Sequence, residues 1–382
     1  MPIYLDYHAH ALIDPRVLAK MVEAFGTVDA NPHSTHQHGI GAHSAVEDAR
    51  DQVARVIHAR PSEIIFTSGA TEANNLAFFG LADHLKAMGR PRIAVSEIEH
   101  PSILEAAAAL GSRGFEIDRL PVNGDGLLDM ASLRRLLTDE TGLVSVAWAN
   151  HEIGVIQHMA NISGVVRERG ALLHSDLAQA AGKIVVPSAL LDLASISAHK
   201  LGGPVGIGAL YVARRLRSKM KAQSVGGGQE GGLRSGTVAA PLCVAFGEAC
   251  SLAVIEMESE AARIARLRDR LIAALSQLPG ATVNGSTNSR LPGNVHMRFD
   301  EVDGEALVIH LQDQLSISTG SACNARSLEP SHVLLAIGLS KRQAECAVRI
   351  GLGRTTTPED IDATVMAITA AVGSLRATRS RA

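Results

Sequence analysis

Short apolar runs alternate with longer segments of helical periodicity from residue 64 to residue 212. Runs typical of buried strands lie at 64–67, 92–96, 115–120, 143–149, 171–175, 194–197 and 208–212. Segments with apolar residues at helical spacing separate many of them, as at 101–110, 131–137 and 162–169. This alternation predicts an α/β fold with a mostly parallel, seven-stranded sheet that helices cover on both faces.

The flanking segments have a different pattern. A polar, histidine-rich segment at 31–43 predicts a loop before a helix at 44–59. A long helical stretch runs from about 238 to 278 and stops at Pro279-Gly280, beyond which short strands and helices are typical of a smaller α+β domain. We therefore predict a large domain at 13–258 and a small domain formed by 1–12 with 259–382.

Polar side chains follow the predicted strands at their carboxyl ends. In parallel sheets these ends meet at one edge, and ligands bind there. The residues are 68–71, His100, Asn150 with His151, Asp176 with Gln179, and His199 with Lys200. We expect them to line one crevice, although they are scattered along the chain.

Lys200 ends the run 195–200 and precedes a glycine-rich turn. An amine held in a partly desolvated turn has a lowered pKa and can form a Schiff base with an aldehyde, of which pyridoxal phosphate is the obvious one. A surface lysine in a loop is the alternative interpretation. The strand, small-residue turn and helix start at 64–72 predict an anion site, because free N–H groups and the helix dipole converge there, although many such turns bind nothing.

Asp176 and His100 also admit two interpretations. A carboxylate at a buried strand end requires a partner such as a pyridinium nitrogen, or it caps the next helix. An imidazole at position 100 stacks on a planar ring or shuttles protons, or it only begins the helix at Pro101.

Arg349 and Cys323 complete the candidate chemistry. Arg349 lies on an otherwise apolar strand, so it requires a carboxylate, either an internal acid or a substrate. Cys323 lies in the small-residue turn 318–324, where a thiol is accessible as a nucleophile. The glycine-rich loop 226–237 ends in Arg234, Ser235 and Thr237, which offer anion contacts, unless the loop is a flexible linker.

Composition narrows the function classes. The formal net charge of −3 argues against nucleic-acid binding, and we expect no membrane-spanning segment. Four cysteines without a CxxC pair suit a reducing compartment and predict a cytoplasmic enzyme, with Cys243, Cys250 and Cys346 as packing residues. Six histidines between positions 8 and 43 could suggest a metal cluster, but no cysteine or paired carboxylate completes a ligand set, so we expect no metal.

Taken together, the motifs resemble those of the NifS/IscS-like cysteine desulfurases of the class V aminotransferase group, over nearly the whole chain. The matching segments are 4–7, 67–72, 197–200, 234–237, 320–323, 327–331 and 351–354. The resemblance implies a pyridoxal-phosphate enzyme of fold type I. It implies a homodimer that converts L-cysteine to alanine and passes the sulfur to an acceptor protein.

The resemblance also implies roles for single residues. Lys200 would be the Schiff-base lysine, His100 the ring-stacking imidazole and Cys323 the thiol that keeps the sulfur as a persulfide. The remaining cofactor contacts would be Asp176 at the pyridine nitrogen, Gln179 and the residue at His151 at the phenolic oxygen, and Ala70, Thr71, Ser197, His199 and a second subunit's Thr237 at the phosphate. Asn31 and Arg349 would bind the substrate carboxylate.

Departures from the family pattern fall near this expected site. The family has an Ala-Thr-Thr run where this chain has His8-Ala9-His10-Ala11 after Tyr7, and Asn-Asn-Glu where it has Asn150-His151-Glu152. The segments 203–206 and 324–326 also differ. These changes leave two alternatives beside the desulfurase: a selenocysteine lyase or other β-elimination enzyme on the same scaffold, and a non-enzymatic scaffold or regulatory partner. The sulfur acceptor could be an iron–sulfur scaffold or a thiolation carrier.

Overall fold

A computed structural model describes residues 2–28, 30–320 and 330–379. The strands are β1 Ile3–Tyr4, β2 Ile64–Thr67, β3 Arg92–Ser96, β4 Glu116–Leu120, β5 Thr141–Ser145, β6 Leu172–Asp176, β7 Leu193–Ser197, β8 Gly208–Val212, β9 Ala281–Val283, β10 Asn294–Phe299, β11 Leu315–Ser316 and β12 Ala347–Gly351. The helices are α1 Pro15–Thr27, α2 Gln37–Arg55, α3 Ala70–Ala87, α4 Pro101–Gly111, α5 Met130–Leu136, α6 Met159–Glu168, α7 Ala240–Leu275, α8 Gly304–Leu311, α9 His332–Ala336, α10 Lys341–Glu345 and α11 Pro358–Arg379.

The predicted seven-stranded sheet is confirmed, in the order β2-β8-β7-β6-β5-β3-β4. Strands β3 to β7 pair in parallel, whereas β8 is antiparallel to both β7 and β2. The segment between β7 and β8 is too short for the crossover that parallel pairing needs, so β8 must run back beside β7. The turn that contains Lys200 makes this reversal.

Helices cover both faces of the sheet, as the alternation of patterns predicts. On one face, α3 and α4 bury side chains such as Phe78 and Ile103 against the strands. On the other, α2, α6 and α7 bury side chains such as Val53, Val165 and Phe246. Strands β2, β5 and β8 are therefore buried along their whole length, whereas the edge strand β4 is mostly polar and partly exposed.

Helix α7 links the large sheet to a second, smaller core. Its first half buries Phe246 and Cys250 in the large core, and its last turns bury Leu267 and Leu271 beside β10. An antiparallel sheet β12-β10-β9 and the parallel pair β1-β11 complete the smaller unit. The domain division at 258 falls inside α7 and stays a proposal. By length and composition α7 could span a membrane, but half of its apolar window is buried inside the fold, as in a core helix.

Several predicted boundaries are wrong, among them the start of α2 and the end of β5. Helix α2 begins at Gln37 within the segment predicted as a loop, because the His36 side chain caps it and accepts a hydrogen bond of 3.2 Å from the Gly39 N–H. Strand β5 ends at Ser145 and not at 149, although the Trp148 N–H still donates to the Asp176 carbonyl. This bond keeps the start of the 149–152 turn beside the end of β6.

Candidate active site

Asp176 and Lys200 lie at the ends of two adjacent parallel strands, β6 and β7. Asp176 pairs with Ser195 in the ladder and is 7% exposed. One carboxylate oxygen accepts from the Ala178 N–H at 2.8 Å, and the other accepts from the Asn74 side-chain amide at 2.9 Å. One oxygen thus caps the turn that follows β6, and the other is bonded to Asn74 of helix α3, while the pairing with a ring nitrogen stays a prediction.

Lys200 is half-buried and reaches toward the N-terminal segment. Its Nζ donates hydrogen bonds of 2.6 Å to the carbonyl oxygens of His8 and Ala9. A surface lysine would have its amine in water, so the alternative interpretation of Lys200 as a loop lysine does not hold. The amine lies where the N-terminal segment crosses the carboxyl edge of the sheet.

The N-terminus of α3 forms an anion cradle at the same edge. Its N-cap is Gly69, with φ 154°, so no side chain caps the first turn. A Cβ at Gly208 would lie 2.6 Å from the Gly69 Cα, so glycine on β8 permits the close approach of this turn. Ala70 and Thr71 therefore present backbone N–H groups beside the end of the sheet.

Ser197 and His199 stand on the other side of that cradle. The Ser197 hydroxyl and His199 Nδ1 are 2.8 Å apart, and the His10 ring stacks on the His199 ring at 5.6 Å. Burial, together with the nearby Lys200 amine, lowers the pKa of His199 to about 4. The imidazole is therefore neutral near pH 7 and acts through hydrogen bonds.

His100 and His151 form an edge-to-face pair, with ring centroids 5.2 Å apart. The Ser102 N–H donates to His100 Nδ1 at 3.1 Å, which leaves the proton of the neutral ring on Nε2. Burial lowers the pKa of both rings, that of His151 well below the ordinary value. Sequence reasoning missed Glu99 beside them: one oxygen accepts from the Ala147 N–H, the other has no partner among the described residues, and burial raises the pKa to about 8.

Gln179 joins the sheet edge to the N-terminal segment through His8. Its Nε2 donates to the His8 carbonyl at 2.9 Å, and its Oε1 lies 3.0 Å from His8 Nδ1. The other ring nitrogen of His8 lies 3.3 Å from the Gly293 carbonyl. Burial holds the pKa of His8 well below the ordinary value. His8 thus connects Gln179 with the smaller core while its ring stays uncharged.

Lys183 is a second amine near this network and was missed from the sequence. Its Nζ donates to Gln179 Oε1 at 3.2 Å. Burial, with the nearby Lys200 and Arg349 cations, lowers its pKa to about 7. A lysine in a short turn after a glutamine gives no pattern that distinguishes it from a surface lysine, so only the tertiary structure identifies it.

Arg349 has an internal carboxylate partner. The guanidinium donates to Asp6 Oδ1 at 3.0 Å and to the His151 carbonyl at 3.0 Å. Of the two partners left open by the sequence, the structure provides the internal acid. Its buried Nε has no hydrogen-bond partner among the described residues, so one donor remains for a further acceptor.

Two predicted site residues, Asn31 and Thr237, are not brought into this crevice, and the structure does not describe a third. Asn31 is exposed, and its side-chain oxygen accepts from the His33 N–H at 3.0 Å. Thr237 is exposed at the end of the glycine-rich loop. Cys323 lies outside the described residues. The other three cysteines are buried thiols whose pKa burial raises, in agreement with their predicted packing role.

Glu152 lies against Gly320 and Ser331, one on either side of the segment 321–329. A Cβ at Gly320 would overlap its carboxylate, and the Ser331 hydroxyl donates to its Oε2 at 2.7 Å. His296 lies 3.5 Å from its other oxygen. Burial opposes ionisation, but His296 and Ser331 lower the pKa of Glu152 below the ordinary value. A buried carboxylate therefore holds the chain on either side of the segment that contains Cys323.

Comparison with known proteins places this site in a family. The aminotransferase class-V family profile matches residues 3–364. The chain belongs to this family. It is 46% identical to the cysteine desulfurase IscS of Methylococcus capsulatus, over 98% of this chain and 94% of that protein. It is also 46% identical to a mitochondrial cysteine desulfurase of Arthroderma benhamiae, over 98% of this chain and 75% of that protein.

Solved structures of similar proteins have the same fold. A structure titled NifS-like protein superposes with a TM-score of 0.91 at 34% identity, over 98% of this chain and 100% of its own. A structure titled SspA in complex with cysteine superposes with a TM-score of 0.80 at 33% identity, over 92% of this chain and 98% of its own. The expected family and fold type are therefore confirmed.

These families depend on pyridoxal phosphate, and the residues present fit that group. The uncapped start of α3 and the Ser197 and His199 side chains provide neutral donors for a phosphate. Asp176 provides a buried carboxylate for a protonated ring nitrogen, and Lys200 provides an amine for an aldehyde. The chemistry of the donor set therefore matches the phosphate, the ring nitrogen and the aldehyde of the cofactor.

Proposed function

We propose that this protein is a pyridoxal-phosphate-dependent cysteine desulfurase that converts L-cysteine to L-alanine and holds the sulfur as a persulfide on Cys323. The observation that carries the proposal is the position of the Lys200 amine and the Asp176 carboxylate at the ends of adjacent strands. That arrangement offers an amine and an acid to opposite ends of one planar cofactor. The full-length similarity to cysteine desulfurases supports the choice of substrate.

The chain's own residues would hold the cofactor by each of its groups. Lys200 would bond to the aldehyde carbon, and Asp176 would keep the ring nitrogen protonated. The phosphate would be bound by Ala70 and Thr71 at the start of α3, by Ser197 and His199, and by Thr237 of a second copy. When bound, pyridoxal phosphate withdraws electrons from the substrate's α-carbon.

Three side chains would contact the cofactor ring, by stacking on its face or by hydrogen bonding at its edge: His100, His151 and Gln179. The neutral His100 ring offers an apolar face for stacking and an Nε2–H as a proton donor. Gln179 has one amide N–H bonded to His8, so the second N–H is the donor that it offers to the phenolic oxygen. His151, which stands where the family has asparagine, would contribute a neutral imidazole on the same side.

The substrate carboxylate would bind at Arg349 and Asn31. Arg349 keeps its bonds to Asp6 and to the His151 carbonyl and offers the buried Nε–H. Asn31 would have to exchange its bond to the His33 N–H for one to the substrate. The Cys323 thiolate would attack the substrate's sulfur, so that an S–S bond forms as the C–S bond breaks, and alanine leaves after its carbon takes up a proton.

We also propose a homodimer. On α1, the side chains Leu18, Val22 and Phe25 form an exposed apolar stripe, with exposed fractions of 42%, 63% and 54%. Exposed apolar side chains clustered on one helix face are typical of a protein–protein interface. A second copy would also bring its exposed Thr237 toward the α3 cradle.

The product must pass its sulfur to a second protein. A persulfide on Cys323 would be delivered to an acceptor such as an iron–sulfur scaffold or a thiolation carrier. Contacts with nucleic acid or a membrane form no part of this proposal. Cytoplasmic localisation also stays a prediction, since some fungal relatives are named as mitochondrial proteins.

Addition of L-cysteine to the purified protein tests the proposal. We expect a yellow protein that releases alanine and sulfide in the presence of a thiol reductant. Cys323→Ala should keep the yellow colour and lose persulfide formation, whereas Cys250→Ala, a buried thiol in α7, should keep both. Alanine release by Cys323→Ala at the rate of the parent protein would refute the role of Cys323, and a colourless protein that takes up no added pyridoxal phosphate would refute the proposed function.

A further inference from the structure

Lys183 and Lys200 line one cavity of about 120 Å³ between the carboxyl edge of the sheet, the N-terminal segment and α7. Such a volume holds about four water molecules at liquid density. Neither His100 nor His151 lines this cavity. The proposed function assigns Lys200 a role and leaves Lys183 without one.

Hydrogen bonds also join the two amines. Lys183 Nζ donates to Gln179 Oε1 at 3.2 Å, and Gln179 Nε2 donates to the His8 carbonyl at 2.9 Å. The same carbonyl accepts from Lys200 Nζ at 2.6 Å. Lys183 is therefore fixed relative to Lys200 through two residues that are each 3% exposed.

Two cations in so small a cavity disfavour one another. Burial lowers the pKa of Lys183 to about 7, and the Lys200 charge contributes further to that lowering. Interaction between two titrating sites is mutual, so a charge on Lys183 disfavours a proton on the Lys200 nitrogen to the same extent. An amine beside a second cation is a known way to obtain a nucleophilic lysine near neutral pH.

We propose that Lys183 is a positioning residue whose charge sets the protonation state of the Lys200 nitrogen. When Lys183 is charged, the lone pair of Lys200 is more available to the cofactor's aldehyde. When Lys183 is neutral, Lys200 keeps its proton and its bonds to the His8 and Ala9 carbonyls. Lys183 acts through Lys200 and touches neither cofactor nor substrate in this account, which rests on the proposed function.

Other charged and titratable groups face the pair and define the background charge. They are Tyr7, His8, Asp14, Glu260 and Arg354 in the cavity wall, with His199 and Arg349 nearby. The two cavity carboxylates are already engaged, since Asp14 bonds to Arg16 and Glu260 to Arg263. Neither carboxylate is bonded to Lys183. Lys200 is therefore the neighbour of Lys183 whose charge changes when the cofactor is attached.

A permanent charge and a permanent neutral group at position 183 test the proposal in the cofactor-loaded protein. The readout is the visible absorbance of the bound cofactor against pH, which reports the proton on the nitrogen that attaches it to the protein. We expect the midpoint of Lys183→Arg to lie about one pH unit below that of Lys183→Met, a tenfold change in the proton equilibrium. The parent protein should lie between them.

The controls separate charge from shape. Lys183→Gln is a second neutral variant and should titrate like Lys183→Met. If one of these two variants fails to fold, the other still provides the neutral reference. Lys219→Met removes a charge from an exposed lysine and should titrate like the parent protein. Midpoints of Lys183→Arg and both neutral variants within about 0.2 pH unit of one another would overturn the proposal.

The same data separate this inference from the proposed function. If the parent protein held no covalently attached cofactor, the proposed function itself would fail. If the cofactor were attached and the variants at position 183 titrated alike, only the role of Lys183 would fail.

Discussion

The side-chain amide of Asn74 donates a 2.9 Å hydrogen bond to the carboxylate of Asp176. The oxygen of the same amide accepts a hydrogen bond from the Ser195 hydroxyl on β7. Asn74 lies on α3, whose N-terminus forms the anion cradle. One buried helix residue therefore connects Asp176, the acid proposed for the ring nitrogen, to the helix proposed to bind the phosphate.

Asn74→Ala should weaken cofactor binding. It removes a hydrogen bond to a buried carboxylate, a contact worth about 1.5–3 kcal/mol, so we expect a ten- to hundredfold higher dissociation constant for pyridoxal phosphate. Titration of the cofactor-free protein with pyridoxal phosphate, followed by fluorescence or absorbance, measures this dissociation constant. Asn161→Ala, at an exposed position on α6, is the matched control. Equal cofactor affinity in the two variants would contradict the role of Asn74.

Glu230→Gln should destabilise the large domain. Arg50 donates to both Glu230 oxygens, at 2.7 and 2.8 Å, and both residues are buried. The Phe66 N–H donates to the same carboxylate. Removal of one charge from a buried pair lowers the free energy of unfolding by about 3–5 kcal/mol, which urea denaturation measures.

Glu47 provides the control for Glu230. It also bonds to Arg50, at 3.0 Å, but its side chain is 46% exposed. Exposed ion pairs contribute about 0–1 kcal/mol, so Glu47→Gln should unfold close to the parent protein. If Glu47→Gln lowered the free energy of unfolding as much as Glu230→Gln, burial of the ion pair would not determine its contribution to stability.

Gly320→Ala should impair sulfur transfer while cofactor binding persists. The added Cβ would overlap the Glu152 carboxylate, which is buried and bonded to Ser331, so we expect the chain at residue 320, which leads to Cys323, to shift. We expect a fall in persulfide formation of at least tenfold, since a displacement of about 1 Å of a reacting group can cost a hundredfold in rate. Mass spectrometry of the Cys323 peptide after addition of cysteine measures it.

The control for Gly320 is Gly164→Ala on α6, where a Cβ meets nothing within 4 Å. Alanine is the better helix former by about 1 kcal/mol, so this variant should keep persulfide formation and gain slightly in stability. Parent-level persulfide formation in Gly320→Ala would show that Glu152 does not constrain the Cys323 segment.

The buried Glu99 makes stability depend on pH. Its pKa in the fold is about 8, against 4.5 for the ordinary group, so the folded protein retains a proton that the unfolded chain loses. The contribution of Glu99 to stability is therefore lost as pH rises from about 4.5 to about 8, by about 1.4 kcal/mol for each pH unit at most. Glu99→Gln removes this slope.

Urea unfolding at about pH 5.5, 6.5 and 7.5, which lie within that window, compares Glu99→Gln with the exposed control Glu105→Gln on α4. The advantage of Glu99→Gln over the parent protein should grow with pH, and Glu105→Gln should show no such trend. An advantage of Glu99→Gln that stays constant with pH would mean that Glu99 ionises in the folded protein.

The sequence predicts the strands and their polar ends well, because buried parallel strands are continuous apolar runs and their functional residues come directly after them. Asp176, His100 and Lys200 are found in this way. The antiparallel direction of β8 does not follow from its apolar pattern, because it depends on the short connection between β7 and β8. The start of α2 depends on one capping contact of His36, and a helix of mixed polar residues gives no strong periodicity.

The hydrogen-bond and ion-pair partners of the site residues can be identified only from the tertiary structure. A charge on an apolar strand predicts that Arg349 has a carboxylate partner, but only the parallel bridge of Asp6 to Gly351 on β12 selects Asp6. Lys183, Asn74 and Glu152 have no distinctive spacing in the sequence. Their importance comes from contacts with residues more than a hundred positions away or across a turn of the fold.

The central claim is that Lys200 is the amine that binds pyridoxal phosphate, and reductive trapping tests it most directly. Borohydride treatment of the cofactor-loaded protein, followed by peptide mapping, locates the attached pyridoxyl group. The account predicts the group on Lys200 and its loss in Lys200→Ala. A label on Lys183, or an unchanged amount of attached cofactor in Lys200→Ala, would contradict it.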